Sequence, residues 1–124
     1  MDYLLVGIGG VFGSLSRYYL GKYIASKSNT DFPWGTFTIN VTGTFILSLL
    51  TFYPALESSN YYSQTRFLVM VGFLGAYTTF STWSYETYQL IKNQDYFNLS
   101  MYVGGTLLIG FMAVYVGMLI GKII

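Results

Sequence analysis

The sequence predicts an all-α membrane protein with four transmembrane helices, the third broken near its middle, and three observations lead there. The first is composition. Of 124 residues, 53% are hydrophobic, 20% aromatic and only 9% charged, whereas an ordinary soluble domain is about 25% charged. A soluble fold this small has too much surface for its volume to hide that much apolar material. The second is the spacing of charge. The charged side chains leave long neutral stretches at 3–16, 32–56, 67–85 and 96–121. A helix crosses a bilayer with about 20 apolar residues at roughly 1.5 Å per residue, which places spans near 3–25, 35–54, 66–91 and 97–121 within a single domain, residues 1–124. The third is continuity. The apolar runs do not alternate with polar residues, as membrane β-strands would.

The first span is read as a membrane helix rather than a secretory leader. Glycines interrupt its apolar part, no basic residue precedes it, and no small-residue cleavage pattern follows. It carries Gly9, Gly13, Arg17 and Gly21 at four-residue steps, on one helical face. Small residues at this spacing let membrane helices approach closely. Arg17 lies well inside the span, where a charge is costly unless it faces protein or a water-filled cavity.

The second span opens Phe32-Pro33-Trp34-Gly35-Thr36. Proline suits a first helical turn and tryptophan a membrane interface. Thr36, Asn40 and Thr44 then recur every fourth residue as a polar stripe. Asn40 is its most informative member, because an amide brings two donors into a medium that satisfies none.

The third span reads Gly72-Phe73-Leu74-Gly75-Ala76-Tyr77-Thr78-Thr79-Phe80-Ser81-Thr82-Trp83. Two glycines ahead of β-branched threonines weaken a helix, so the break is expected here. Unwound backbone at membrane depth is tolerated only in protein or along a cavity. Freed carbonyls at such a break can bind a cation, and the next half-helix's N-terminus favours an anion. The fourth span holds Tyr102, Thr106 and Gly110 on one face, which extends a hydroxyl track.

Orientation is balanced. With Arg17 set aside as intramembrane, Lys22, Lys27 and Lys92 fall on one side, and Arg66 and Lys122 on the other. The positive-inside rule has almost nothing to act on, so the chain is expected to insert both ways and to pair as an antiparallel dual-topology dimer.

Several functions are excluded. With no cysteine and no histidine, thiol chemistry and the usual zinc sets are absent. No nucleophile–base pair suggests an enzyme, and a net charge of +1 offers no basic face for nucleic acid. Cation pathways more often show carboxylate rings, and a proton-coupled pump needs a titratable group at depth. The amide, hydroxyls and aromatic edges favour a small anion, conducted passively.

Over nearly its whole length the sequence resembles the CrcB/Fluc fluoride channels. The resemblance rests on Gly9-Gly10-x-x-Gly13-x-x-x-Arg17-Tyr18, on Pro33-Trp34-Gly35-Thr36-x-x-x-Asn40-x-x-Gly43, and most specifically on Gly72-Phe73-x-Gly75-x-x-Thr78-Thr79-Phe80-Ser81-Thr82. It implies a passive channel that exports toxic cytoplasmic fluoride, built as an antiparallel dimer with two pores at its interface. A structural sodium ion is implied at the dimer centre, held by backbone carbonyls at Gly75 and Thr78. Asn40, Phe80, Ser81 and Thr82 match the anion pathway, Tyr102 and Thr106 match it more weakly, and Arg17 matches a vestibule basic residue. Trp83 stands where the family has a second phenylalanine. It keeps an aromatic edge but is larger and adds an N–H donor. The implied setting is the inner (plasma) membrane of a bacterium, crossed several times, with lipid around a homodimer or a pair with a sister subunit.

A small multidrug-type proton-coupled antiporter has the same size, span number and topology. It needs a carboxylate deep in its first span, where this chain offers Arg17 and no acid. A membrane scaffold would explain the glycines but not the Gly75–Thr82 run.

Overall fold

Glycine decides how the helices meet. In this computed structural model, which describes Met1–Ile124, every regular element is helical. Helix α1 runs Asp2–Lys27, about 39 Å at 1.5 Å per residue. Helix α2 runs Trp34–Thr51, with Pro33 at its N-cap. Single turns at Pro54–Glu57 and Tyr62–Thr65 carry the connection to the third segment. That segment starts as a π-helix, Arg66–Leu74, and continues as one α-helical turn, Gly75–Tyr77. Thr78 and Thr79 are extended, with ψ of 157° and 121°. The helix then restarts as α3, Phe80–Lys92, and α4 follows over Tyr96–Ile123.

The interruption thus falls inside the glycine–threonine run. The π-helix has no counterpart in the sequence expectation. Such segments are rare and concentrate at functional sites, and this one leads straight into the break.

The π-helix lies along α1, and α4 lies along α2. A Cβ on Gly9 would sit 2.8 Å from the Phe73 nitrogen, and one on Gly13 would sit 2.9 Å from the Phe73 carbonyl carbon. On α4, a Cβ at Gly117 would sit 2.7 Å from the Phe45 carbonyl oxygen. Backbone stands against backbone at both seams, so a side chain has no flexible neighbour to displace. Gly9→Ala is therefore expected to destabilise the fold by about 1–3 kcal/mol through overpacking. Gly10→Ala, which meets open space, should be neutral or mildly stabilising. Thermal unfolding of the detergent-solubilised protein, followed by light scattering, would show the contrast.

The buried core is small, built on Ile39, Leu74 and Tyr77 with Leu50 and Phe73 against them. Only 15 of 124 residues are buried, while large apolar side chains along α1 and α4 face outward. An outward apolar surface of this extent marks a face meant for lipid or another chain. Helix α4, at 28 residues, is long and apolar enough to cross a membrane.

Candidate functional site

A helix break strands backbone groups that need new partners. Here Asn40 supplies them. The Thr79 N–H donates to Asn40 Oδ1 at 2.8 Å, and Asn40 Nδ2 donates to the Thr79 carbonyl at 3.0 Å. The side-chain amide thus pairs with one residue as a neighbouring strand would, and the two bonds fix which way the amide faces. One Nδ2 hydrogen is left over. The Thr79 hydroxyl oxygen caps α3, accepting from the Thr82 N–H at 3.1 Å, and it donates to Thr82 Oγ1 at 3.1 Å. Ser81 Oγ lies 3.3 Å from the same atom.

On the other side of the break, the Thr78 N–H and hydroxyl both donate to the Leu74 carbonyl, at 3.1 and 3.0 Å. Arg17 reaches across from α1, and its Nη1 donates to the Thr78 carbonyl at 3.4 Å. Because Asn40 takes the Thr79 N–H, the Gly75 carbonyl loses the donor an unbroken α-helix would give it.

A cavity of about 300 Å³ opens beside the break, lined by Asn40, Thr44, Thr78, Thr79, Phe80, Trp83, Thr106 and Leu107. Five of the sequence-derived positions meet here: Asn40, Thr78, Phe80, Trp83 and Thr106. No carboxylate lines the space. The N-terminus of the 13-residue helix α3 starts at its wall, and a helix N-terminus carries partial positive charge. With Arg17 beyond Thr78, the local field suits an anion. Phe80 is 78% exposed, so its ring is presented outward from the chain.

Other positions fall elsewhere. Ser81 and Thr82 sit exposed on the first turn of α3, joined to the cavity only through Thr79. Gly75 is exposed, with open space where a side chain would stand. Tyr102 departs from the expected hydroxyl track beside Thr106. It is fully buried, and its hydroxyl donates to Glu86 Oε2 at 2.6 Å. The Thr36 hydroxyl donates to Glu86 Oε1 at 3.0 Å. A carboxylate is the strongest acceptor within reach, and it claims both hydroxyls.

Glu86 and Thr79 are the residues that sequence reasoning left without a role. The signal for both lay in the α2 stripe. Thr36 meets Glu86, Asn40 meets Thr79, and Thr44 meets the cavity. The polar stripe of α2 thus runs along the third segment, from Glu86 to the break. Glu86 also borders two further cavities, one of about 480 Å³ with Asp31 and Asp95 and one of about 360 Å³ with Lys22 and Tyr18.

The profile of the family described as "CrcB-like protein, Camphor Resistance (CrcB)" matches residues 4–118. The chain is 41% identical over 123 residues to Fluoride-specific ion channel FluC 2 of Clostridium acetobutylicum, covering 99% of this chain and 100% of the relative. It is 42% identical over 123 residues to Fluoride-specific ion channel FluC of Acidobacterium capsulatum, covering 98% and 97%. A FluC from a Hydrogenobaculum species is 41% identical over 124 residues, with both chains fully covered.

Proposed function

The chain belongs to the CrcB family of fluoride-specific ion channels, and from that premise we propose that it is a passive fluoride channel of the membrane, a transporter and not an enzyme. The observation that carries the reading is the cavity at the break, which gathers an amide, hydroxyls, two aromatic side chains and a helix N-terminus with no carboxylate. Fluoride holds its hydration strongly, so a pathway must replace lost water with donors at short range. Asn40 keeps one Nδ2 hydrogen for that task, and its other bonds to Thr79 hold the amide still. Ser81 and Thr82, next along the chain, extend the donors towards the exposed side. The biological role that follows is relief of cytoplasmic fluoride.

Four membrane crossings, an antiparallel dimer and the bacterial inner membrane complete the proposal. The near-balanced Lys and Arg distribution supports dual topology. Phe80 and Gly75, exposed beside the break, support a second copy at this face, whether the same chain or a sister subunit. Each pore would then be finished by the partner, with lipid against the outer faces of α1 and α4.

A structural sodium ion at the two-fold centre fits the oxygens present. The Gly75 carbonyl is released from its helical donor, and the Thr78 carbonyl lies in extended backbone with only Arg17 on it. These are neutral hard oxygens, and Gly75 itself is exposed. One chain offers too few of them for a hard cation, and a symmetry-related copy doubles the set. When bound, the ion would supply a fixed positive charge beside the anion route.

Purified protein in liposomes tests the function directly. Fluoride loaded at high concentration should escape on addition of a potassium ionophore, while chloride stays inside. Fluoride retained by protein-bearing vesicles, or chloride leaving as fast, would defeat the proposal.

A further inference from the structure

The connection between α1 and α2 carries a cation and a hydroxyl donor that the anion route does not use. A groove of about 340 Å³ opens where the two helices meet, lined by Tyr23, Ile24, Lys27, Ser28, Trp34 and Thr38. Lys27 closes α1 and Trp34 opens α2, so both stand at one end of the helix pair. The Lys27 ammonium lies 5.8 Å from the centre of the Tyr23 ring, and no carboxylate lines the groove. Lys22 differs, because its cavity also holds Glu86. Next along the chain from Lys27, the Ser28 and Thr30 hydroxyls are 3.0 Å apart. The Thr30 N–H donates to Ser28 Oγ at 3.4 Å, and Trp34 Nε1 donates to Thr30 Oγ1 at 3.1 Å. Two hydroxyls hold two hydrogens and the bond between them spends one, so one donor of the pair is left over.

The lining is of two kinds. Lys27 and Ser28 offer a positive charge and a hydroxyl, while Ile24 and the rings of Tyr23 and Trp34 offer apolar surface. Tyrosine and tryptophan, apolar at one end and wet at the other, favour the headgroup level of a bilayer. A free inorganic anion would use the ammonium and leave the apolar wall bare. A zwitterionic lipid would use the wall and bring no net charge. We propose that the groove binds one anionic phospholipid, with its phosphate on the Lys27 ammonium and the spare hydroxyl, and an acyl chain against Ile24 and Tyr23. Hydrogen bonds between ionised partners are about twice as strong as neutral ones, so the phosphate is the anchor. The proposal rests on the membrane-spanning reading and adds to it a lipid of stated charge. Two copies inserted in opposite senses would hold one such lipid in each leaflet.

Native mass spectrometry of the detergent-solubilised protein reads bound lipid directly. Phosphatidylglycerol and phosphatidylcholine with the same acyl chains are titrated in separately, and the first adduct is followed. Phosphatidylglycerol should bind about fivefold more tightly, which is what one lysine contributes at an anionic membrane surface. Lys27→Gln should erase that preference, while Lys27→Arg and Lys92→Gln should keep it. Lys27 and Lys92 are both exposed, so these substitutions leave folding intact. Excess inorganic phosphate should not displace the lipid. Equal binding of the two lipids by the parent, or a preference that survives Lys27→Gln, overturns the proposal. Displacement by phosphate overturns it in favour of a soluble anion. A Lys27→Gln protein that loses subunits in the same spectra while its lipid preference stays would make the groove a contact between copies instead. Failure of the channel reading shows elsewhere, as vesicles from which the parent releases no fluoride.

Discussion

Asn40→Asp is expected to lower fluoride efflux by at least about 100-fold while the protein still runs as an assembled species on gel filtration. The asparagine does two things at once. Its Oδ1 accepts from the Thr79 N–H, and its Nδ2 donates to the Thr79 carbonyl. An aspartate can keep the first bond and not the second, since an ionised carboxylate has no hydrogen to give. It also turns the leftover donor beside the cavity into negative charge. A hydrogen bond to a charged group is worth about 1.5–3 kcal/mol, and each 1.36 kcal/mol is about tenfold in rate. Repulsion between the carboxylate and an arriving anion adds to that loss. Asn40→Ala separates the effects: it removes donor and clamp without the charge, so it should conduct better than Asn40→Asp and worse than the parent. Initial efflux rates at matched protein loading decide it. An Asn40→Asp protein that conducts at the parent rate would remove Asn40 from the pathway.

How far the sequence could be read depended on which residues lacked an alternative. Asn40 was legible because an amide in an apolar helix has to find partners, and the break was legible because Gly72, Gly75, Thr78 and Thr79 together disfavour helix. The face of Gly9, Gly13 and Arg17 was legible from the period of 3.6, and the structure turns it to the π-helix and to Thr78. The π-helix itself was not. Its residues, Arg66–Leu74, are mostly apolar and compatible with several hydrogen-bond registers, so their register is set by tertiary packing rather than composition. The partner of Tyr102 was hidden for a similar reason. Its helical face pointed correctly inward, but which acceptor lay opposite depended on the packing of α3 on α4, and Glu86 met it there. Near a span end, Glu86 reads as a headgroup-level acid. Only the meeting of Thr36 and Tyr102 on its two oxygens marks it as an interior group.

Gly75→Val is expected to abolish both the proposed dimer and fluoride conduction, and its value lies in what the single chain does not resist. A Cβ at Gly75 meets nothing within 4 Å of its own chain, and the residue is exposed. The first atom of a side chain there meets no part of one protomer. The helix-propensity difference between valine and glycine is only a few tenths of a kcal/mol and favours valine. Lost assembly would then report something outside the protomer: a second copy brought close at this glycine, or an ion held on its released carbonyl. Thr78→Ala should do much less. Its hydroxyl is spent within the chain on the Leu74 carbonyl, and its own carbonyl, the group proposed for the sodium ion, survives the substitution. A modest loss of stability, about 0.5–1.5 kcal/mol for one hydrogen bond, is the expected result. Single-molecule photobleaching in vesicles at low protein density counts subunits, and fluoride efflux from the same vesicles reads conduction. Dimers of undiminished abundance with Gly75→Val would place the contact between copies elsewhere. They would also leave the carbonyls at the break without the sodium site proposed for them.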